Sequence, residues 1–174
     1  MAHDVRIAIS CPDRTGLLAA ITGRLFDLGA SLGDTSFAVL GEAAEFACVA
    51  ELPDAVSPDE TAADLAKLPD LDGSDITVTP FTLASVHGER GQITHRIEVR
   101  GTDRPGLVAR LAEVFAEFGA NIVRMDSEHI PGGGEGDYLI RFEVWLPPDR
   151  AASCLAAAAN TAGSLGLACK SEAV

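Results

Sequence analysis

DRTGLLAAITGRLFDLGA spans Asp13 to Ala30, and ninety residues later the chain reads DRPGLVARLAEVFAEFGA, from Asp103 to Ala120. Aligned without a gap, the two stretches share seven of eighteen positions: Asp13/Asp103, Arg14/Arg104, Gly16/Gly106, Leu17/Leu107, Ala19/Ala109, Gly29/Gly119 and Ala30/Ala120. Five of the other eleven pairs exchange one apolar residue for another. The chain is therefore written in two copies, and the surroundings of each repeat give the fold.

Before the first repeat, DVRIAISC alternates Val5, Ile7 and Ile9 with Arg6, Ala8 and Ser10, the period of a half-buried strand. Inside the repeat, Leu17, Leu18, Ile21, Leu25 and Leu28 recur at helical spacing up to Gly29. ASLGDTSFAVL and EFACVAEL follow as strands around a GEAA turn. SPDETAADLAKL predicts a second helix, with Ser57 as cap, Pro58 at the first position and Glu60 completing a capping box. DGSDITVTPFTL closes the half as a strand, which Pro80 assigns to an edge or a strand end.

The second half repeats that order. HRIEVRG reads as strand, Pro105 to Phe118 as helix, ANIVRMDSEHI as strand, PGGGEGD as hairpin loop and YLIRFEVWL as strand. DRAASCLAAAANTAGSLG is the second helix and LACKSEAV the final strand. Two consecutive βαββαβ units predict an α+β protein: two ferredoxin-like modules, each a four-stranded antiparallel sheet with two helices on one face and its first and third strands central. The boundaries are 1–83 and 95–174, with ASVHGERGQIT (84–94) as linker.

A net charge of −13 argues against direct nucleic-acid binding, which needs clustered Lys and Arg. Residues 1–87 carry fourteen acidic against four basic residues, and residues 88–174 carry twelve against nine. Arg90, Arg96, Arg100, Arg104 and Arg110 follow one another closely, and read either as a solvated, ion-paired surface or as an anion or partner surface. No apolar run reaches the ~20 residues of a membrane span, and the start lacks the pattern of a signal peptide, so the chain reads as soluble and cytoplasmic. Cys11, Cys48, Cys154 and Cys169 form no close pair and sit in apolar surroundings, as reduced structural cysteines do. His3, His87, His95 and His129 lack metal-site spacing, and PGGGEGD lacks the lysine of a phosphate loop. The reading assigns no catalytic residue, no metal and no cofactor.

The repeated turn carries the chemistry. Pro105 suits a first helical position, so the helix starts sharply after Asp103 and Arg104, and Gly106 lies where backbone N–H groups are free and nothing blocks close approach. Such a turn suits a carboxylate. Asp103 could meet an ammonium group or cap the helix, and the two roles compete. Together they suit a small zwitterion; equally, Asp-x-x-Gly can simply start a helix.

The turn D-R-P-G-L, the helix and G-A-N-I, with their first-copy counterparts, resemble the opening strand, turn and helix of ACT domains, small amino-acid-sensing regulatory modules. Two such units over nearly the whole chain are most similar to tandem-ACT proteins of the glycine cleavage system transcriptional repressor type. That resemblance implies a non-catalytic regulator that binds a small amino acid, with glycine or serine expected, between modules, and acts through a protein partner such as a DNA-binding regulator. A homodimer is compatible with it. So are a separately encoded regulatory subunit of an amino-acid or one-carbon enzyme and a bare dimerisation module. By position the resemblance implies Asp13, Gly16 and Leu17 on the first turn, Asp103, Gly106 and Leu107 on the second, and Asn121 and Ile122 at the start of the facing strand. Ser31 replaces Asn121 in the first copy, and Ser reaches less far. The Gly16 turn facing Asn121 is expected to outbind the Gly106 turn facing Ser31.

Overall fold

In a computed structural model that describes residues 2–130 and 137–174, the chain divides into two units, Met1–Val86 and His87–Val174. Of the segment assigned from the sequence to a hairpin loop, 131–137, residues 131–136 lie outside the described residues and Asp137 belongs to the following strand.

In the first unit, β1 (His3–Pro12) buries Val5, Ile7, Ile9 and Cys11 while the residues between them face away from the core. It runs into α1 (Leu17–Asp27), which buries Leu17, Ile21 and Leu25 along one stripe. β2 (Ser31–Leu40) and β3 (Ala43–Leu52) form a hairpin whose turn is shorter than the sequence suggested, because Ala43 and Ala44 already pair with the strands. α2 (Pro58–Leu65) starts on the predicted capping box: Ser57 Oγ accepts from the Glu60 N–H and the Glu60 carboxylate accepts from the Ser57 N–H. A short 3-10 turn, Pro69–Leu71, leads to β4 (Asp75–Pro80). The antiparallel sheet runs β2-β3-β1-β4. The Pro80 strand is thus an edge, and the first and third strands are central.

The second unit repeats the plan with β5 (His95–Thr102), α3 (Leu107–Glu117), β6 (Asn121–His129), β7 (Asp137–Trp145), α4 (Ala151–Ser164) and β8 (Ala168–Ala173), in sheet order β6-β7-β5-β8. Its core joins Ile97, Val99, Leu111, Phe115, Phe142 and Val144 to the small buried face of α4, Cys154, Ala158 and Ala162. Small residues let α4 lie close to the sheet, and Phe115 and Phe142 meet edge to face at 5.2 Å between ring centroids. Each unit is α+β and ferredoxin-like, with its own core on the helical face of its sheet.

One boundary differs instructively. The second helix start was expected at Pro105, with Gly106 inside the first turn. Instead Gly106 is the residue before the helix, in the left-handed conformation at φ 78°, and α3 begins at Leu107. Gly16 does the same at φ 87° before α1. A residue with a Cβ resists this backbone conformation, so Gly is what lets the strand turn into the helix here.

Candidate functional site

The two turns superimpose in their bonding. In the first, the Leu17 N–H reaches the Arg14 carbonyl at 3.3 Å and the Ala20 N–H reaches Gly16 at 3.0 Å; in the second, Leu107 bonds to Arg104 and Arg110 to Gly106 at the same two distances. Neither helix has a side-chain cap. Asp13 and Asp103 are exposed and do not cap the helices, which leaves the simple helix-capping role unfilled. The N–H groups of Leu18 and Ala19, and of Val108 and Ala109, therefore have no intrahelical acceptor at the positive end of the helix dipole. Space is open above both glycines: a Cβ built on either would meet nothing within 4 Å.

Leu17 and Leu107 are buried core residues, so only their backbone can meet a ligand. Ser31 and Asn121 are exposed and lie at the far ends of their helices, which at eleven residues are about 16 Å long. Within one unit, then, the turn and the strand start are held apart. Ile122 is half-buried against the second core and pairs with Val144. A β-bulge follows it, as one follows Leu32 in the first unit, so the duplicated strand starts keep the same irregularity.

The copies part company at Asn121. Its side-chain Nδ2 donates to the backbone carbonyl of Arg90 at 2.7 Å. The Arg90 guanidinium stands 5.7 Å from the ring centroid of Trp145, the register partner of Asn121. Arg90 sits in a 3-10 turn, Glu89–Gly91. This part of the expected linker is thus docked on the second unit, and sequence reasoning missed it. An acceptor supplied by the backbone leaves no compositional trace.

Two of the five closely spaced arginines, Arg96 and Arg100, are neutralised by carboxylates. Arg96 pairs with Glu143 at 3.0 Å, Arg100 with Asp137 at 3.1 Å, and Arg141 bridges Asp126 and Glu128 at 3.0 and 2.9 Å. They tile the open face of the second sheet, where a hollow of about 750 Å³ is lined by Arg96, Glu98, Asp126, Arg141, Glu143 and Glu172, among others. Its cations and anions offset each other, and none of the sequence-predicted site residues lines it. Arg104 and Arg110 have no acidic partner among the described residues.

Burial raises the pKa of all four thiols, that of Cys48 to about 11. Cys11, close to Asp13, is buried and free, so it is a poor nucleophile. Its counterpart is Gly101, where a Cβ would stand 2.5 Å from Leu167 Cδ2. Among the described residues, no three His, Cys, Asp or Glu side chains gather as metal ligands, and no helix is long and apolar enough to cross a membrane.

Residues 95–144 match the family model of the ACT domain. Two solved structures align over the whole chain. A protein of unknown function from Galdieria sulphuraria is 22% identical, with a TM-score of 0.77, and 99% of it is covered. A candidate glycine cleavage system transcriptional repressor is 11% identical, with a TM-score of 0.67, and 98% of it is covered. No curated protein matches the chain in sequence. The match to the ACT domain thus falls within the second unit, and the two units together share the fold of these two solved structures.

Proposed function

We propose that the chain is a non-catalytic regulatory protein that binds a small amino acid between ACT-type modules and controls gene expression through a partner protein such as a DNA-binding regulator. One observation supports this above the rest: both copies keep an uncapped helix start behind a left-handed glycine, with open space over it. A turn retained only to begin a helix gains from a cap, which typically contributes about 1 kcal/mol. Leaving both uncapped preserves two clusters of N–H donors for a carboxylate, with Asp13 or Asp103 beside them to receive an ammonium group.

The turns lie a helix length away from the strand starts of their own modules, so a site using both must draw them from different modules. Asp13, Gly16 and Leu17 would work with Asn121 and Ile122, and Asp103, Gly106 and Leu107 with Ser31. Glycine and serine are the first ligands to test, since small side chains suit a site made mainly of backbone. The fold likeness to a candidate glycine cleavage repressor points the same way.

A thermal-shift screen of the twenty amino acids tests the proposal. A ligand at 100 times its Kd adds about 2.7 kcal/mol to the native state. A response confined to one or two small amino acids is expected; silence across the panel overturns the reading. For any ligand found, Asn121→Ala is expected to weaken binding more than Ser31→Ala, and equal, negligible effects would remove the paired-site assignment.

A further inference from the structure

We infer that the Glu89–Gly91 turn is a strap that competes with the amino-acid ligand for Asn121, so that filling the site releases the segment joining the two units. The inference rests on the proposed binding role of Asn121 and names how that site is regulated.

Contacts at its base and at its tip hold the strap. Its base is fixed by Thr94, whose N–H donates to the Val144 carbonyl at 2.9 Å and whose hydroxyl accepts from the Leu146 N–H at 2.9 Å. Its tip is fixed by the Asn121 amide on the Arg90 carbonyl, and its side chain by the Arg90 guanidinium over Trp145. Thr94 ties residues buried in the second unit's sheet; the two contacts at the tip are exposed and individually weak, an amide hydrogen bond and a solvent-facing cation–π pair. The strap can therefore lift at its tip and stay anchored at its base.

Competition follows from the charges. The Arg90 carbonyl oxygen lies 2.7 Å from the Asn121 nitrogen. The amide carries two N–H bonds and Arg90 takes one; a ligand carboxylate brought to the same nitrogen would place an anionic oxygen near the negative end of the carbonyl dipole, and the two acceptors repel. Binding through the Asn121 amide is therefore opposed by the Arg90 carbonyl, and a ligand meets reduced affinity while the strap is down. Ser31, the counterpart in the first unit, is exposed, and its side chain makes no hydrogen bond among the described residues. The device belongs to one copy only, so the two sites would differ in regulation as well as in contact chemistry.

Trp145 is the chain's single tryptophan, so its emission reports the strap directly. Wild type and Arg90→Ala are titrated with each of the twenty amino acids, glycine and serine first, by calorimetry and by fluorescence, with hydrogen exchange followed over residues 87–92. The expected result has four parts: Trp145 emission changes on binding in wild type, exchange over 87–92 rises, Arg90→Ala binds about two- to fivefold tighter, and its emission change is lost. Asn121→Ala, with no ligand present, is expected to raise exchange over 87–92 by itself. Binding with unchanged Trp145 emission and equal affinity in Arg90→Ala overturns the strap and leaves the function standing. No binding in either protein overturns both. Binding in Arg90→Ala alone would be the strongest support for the strap.

Discussion

Gly16 and Gly106 hold the same left-handed conformation one residue ahead of their helices, at φ 87° and 78°. No neighbour would touch an added Cβ at either, so a substitution there acts through the backbone alone. Gly106→Ala is expected to cost about 1–2 kcal/mol, and Gly106→Asn less, because Asn tolerates this region better. Urea unfolding of the two variants checks the order. Equal costs would mean that conformation is not the cause.

Ser57 and Glu60 predict a pH dependence. Backbone and side-chain hydrogen bonds from Ser57 hold the Glu60 carboxyl below its usual 4.5. A depressed carboxylate contributes stability that is complete above the unfolded value and is lost as pH falls through the folded one. Ser57→Ala removes the cap, at about 1 kcal/mol near neutrality. It is also expected to flatten the acid limb below about pH 4.5, measured as the urea midpoint from pH 3 to 7. A limb of undiminished slope would place the acid sensitivity elsewhere.

Much of the architecture could be read from period alone. Alternation at Val5, Ile7 and Ile9 and helical spacing at Leu17, Ile21 and Leu25 reflect which faces the core buries, so burial and pattern agree. Ser57 and Glu60 were legible because a capping box is local. The start of α3 was not. Asp-Arg-Pro-Gly fits a helix beginning at its proline as well as one beginning after its glycine, and only the left-handed φ of Gly106 decides between them. The Arg90–Asn121 bond was hidden for another reason: its residues lie 31 apart and its acceptor is main chain. Polar, glycine-bearing composition there read as linker. At the site, the sequence singled out the turns and the strand starts, but buried Leu17 and Leu107 offer backbone rather than side chains.

Cys48 predicts the opposite limb. Burial pushes its thiol to about 11 from the ordinary 9.0. A group whose pKa is raised by folding contributes stability that is complete below its unfolded value and is lost as pH rises toward the folded one. Stability should therefore fall between about pH 9 and 11, and Cys48→Ala should lessen that fall. At pH 8 about one Cys48 in a thousand is thiolate, against about one in ten for a thiol at the ordinary 9.0. Alkylation by iodoacetamide should be at least about a hundredfold slower in the native chain than in urea, as peptide mapping would show. Comparable rates would mean that the β3 thiol opens to solvent.

Phe46 and Phe142 stand at the centres of two separate cores, and both are essentially inaccessible to solvent. Truncating either to Ala removes a buried ring and leaves a cavity, at a cost of about 3–5 kcal/mol. The penalty falls on the unit that owns the core. Trp145 lies on β7 of the second unit, so its fluorescence follows the unfolding of that unit. Phe142→Ala is expected to lower the urea midpoint of the Trp145 signal strongly, while Phe46→Ala lowers the far-ultraviolet circular dichroism midpoint and shifts the Trp145 signal much less. Equal shifts of Trp145 by both variants would show that the duplicated modules unfold as one cooperative body, with core energy shared between them.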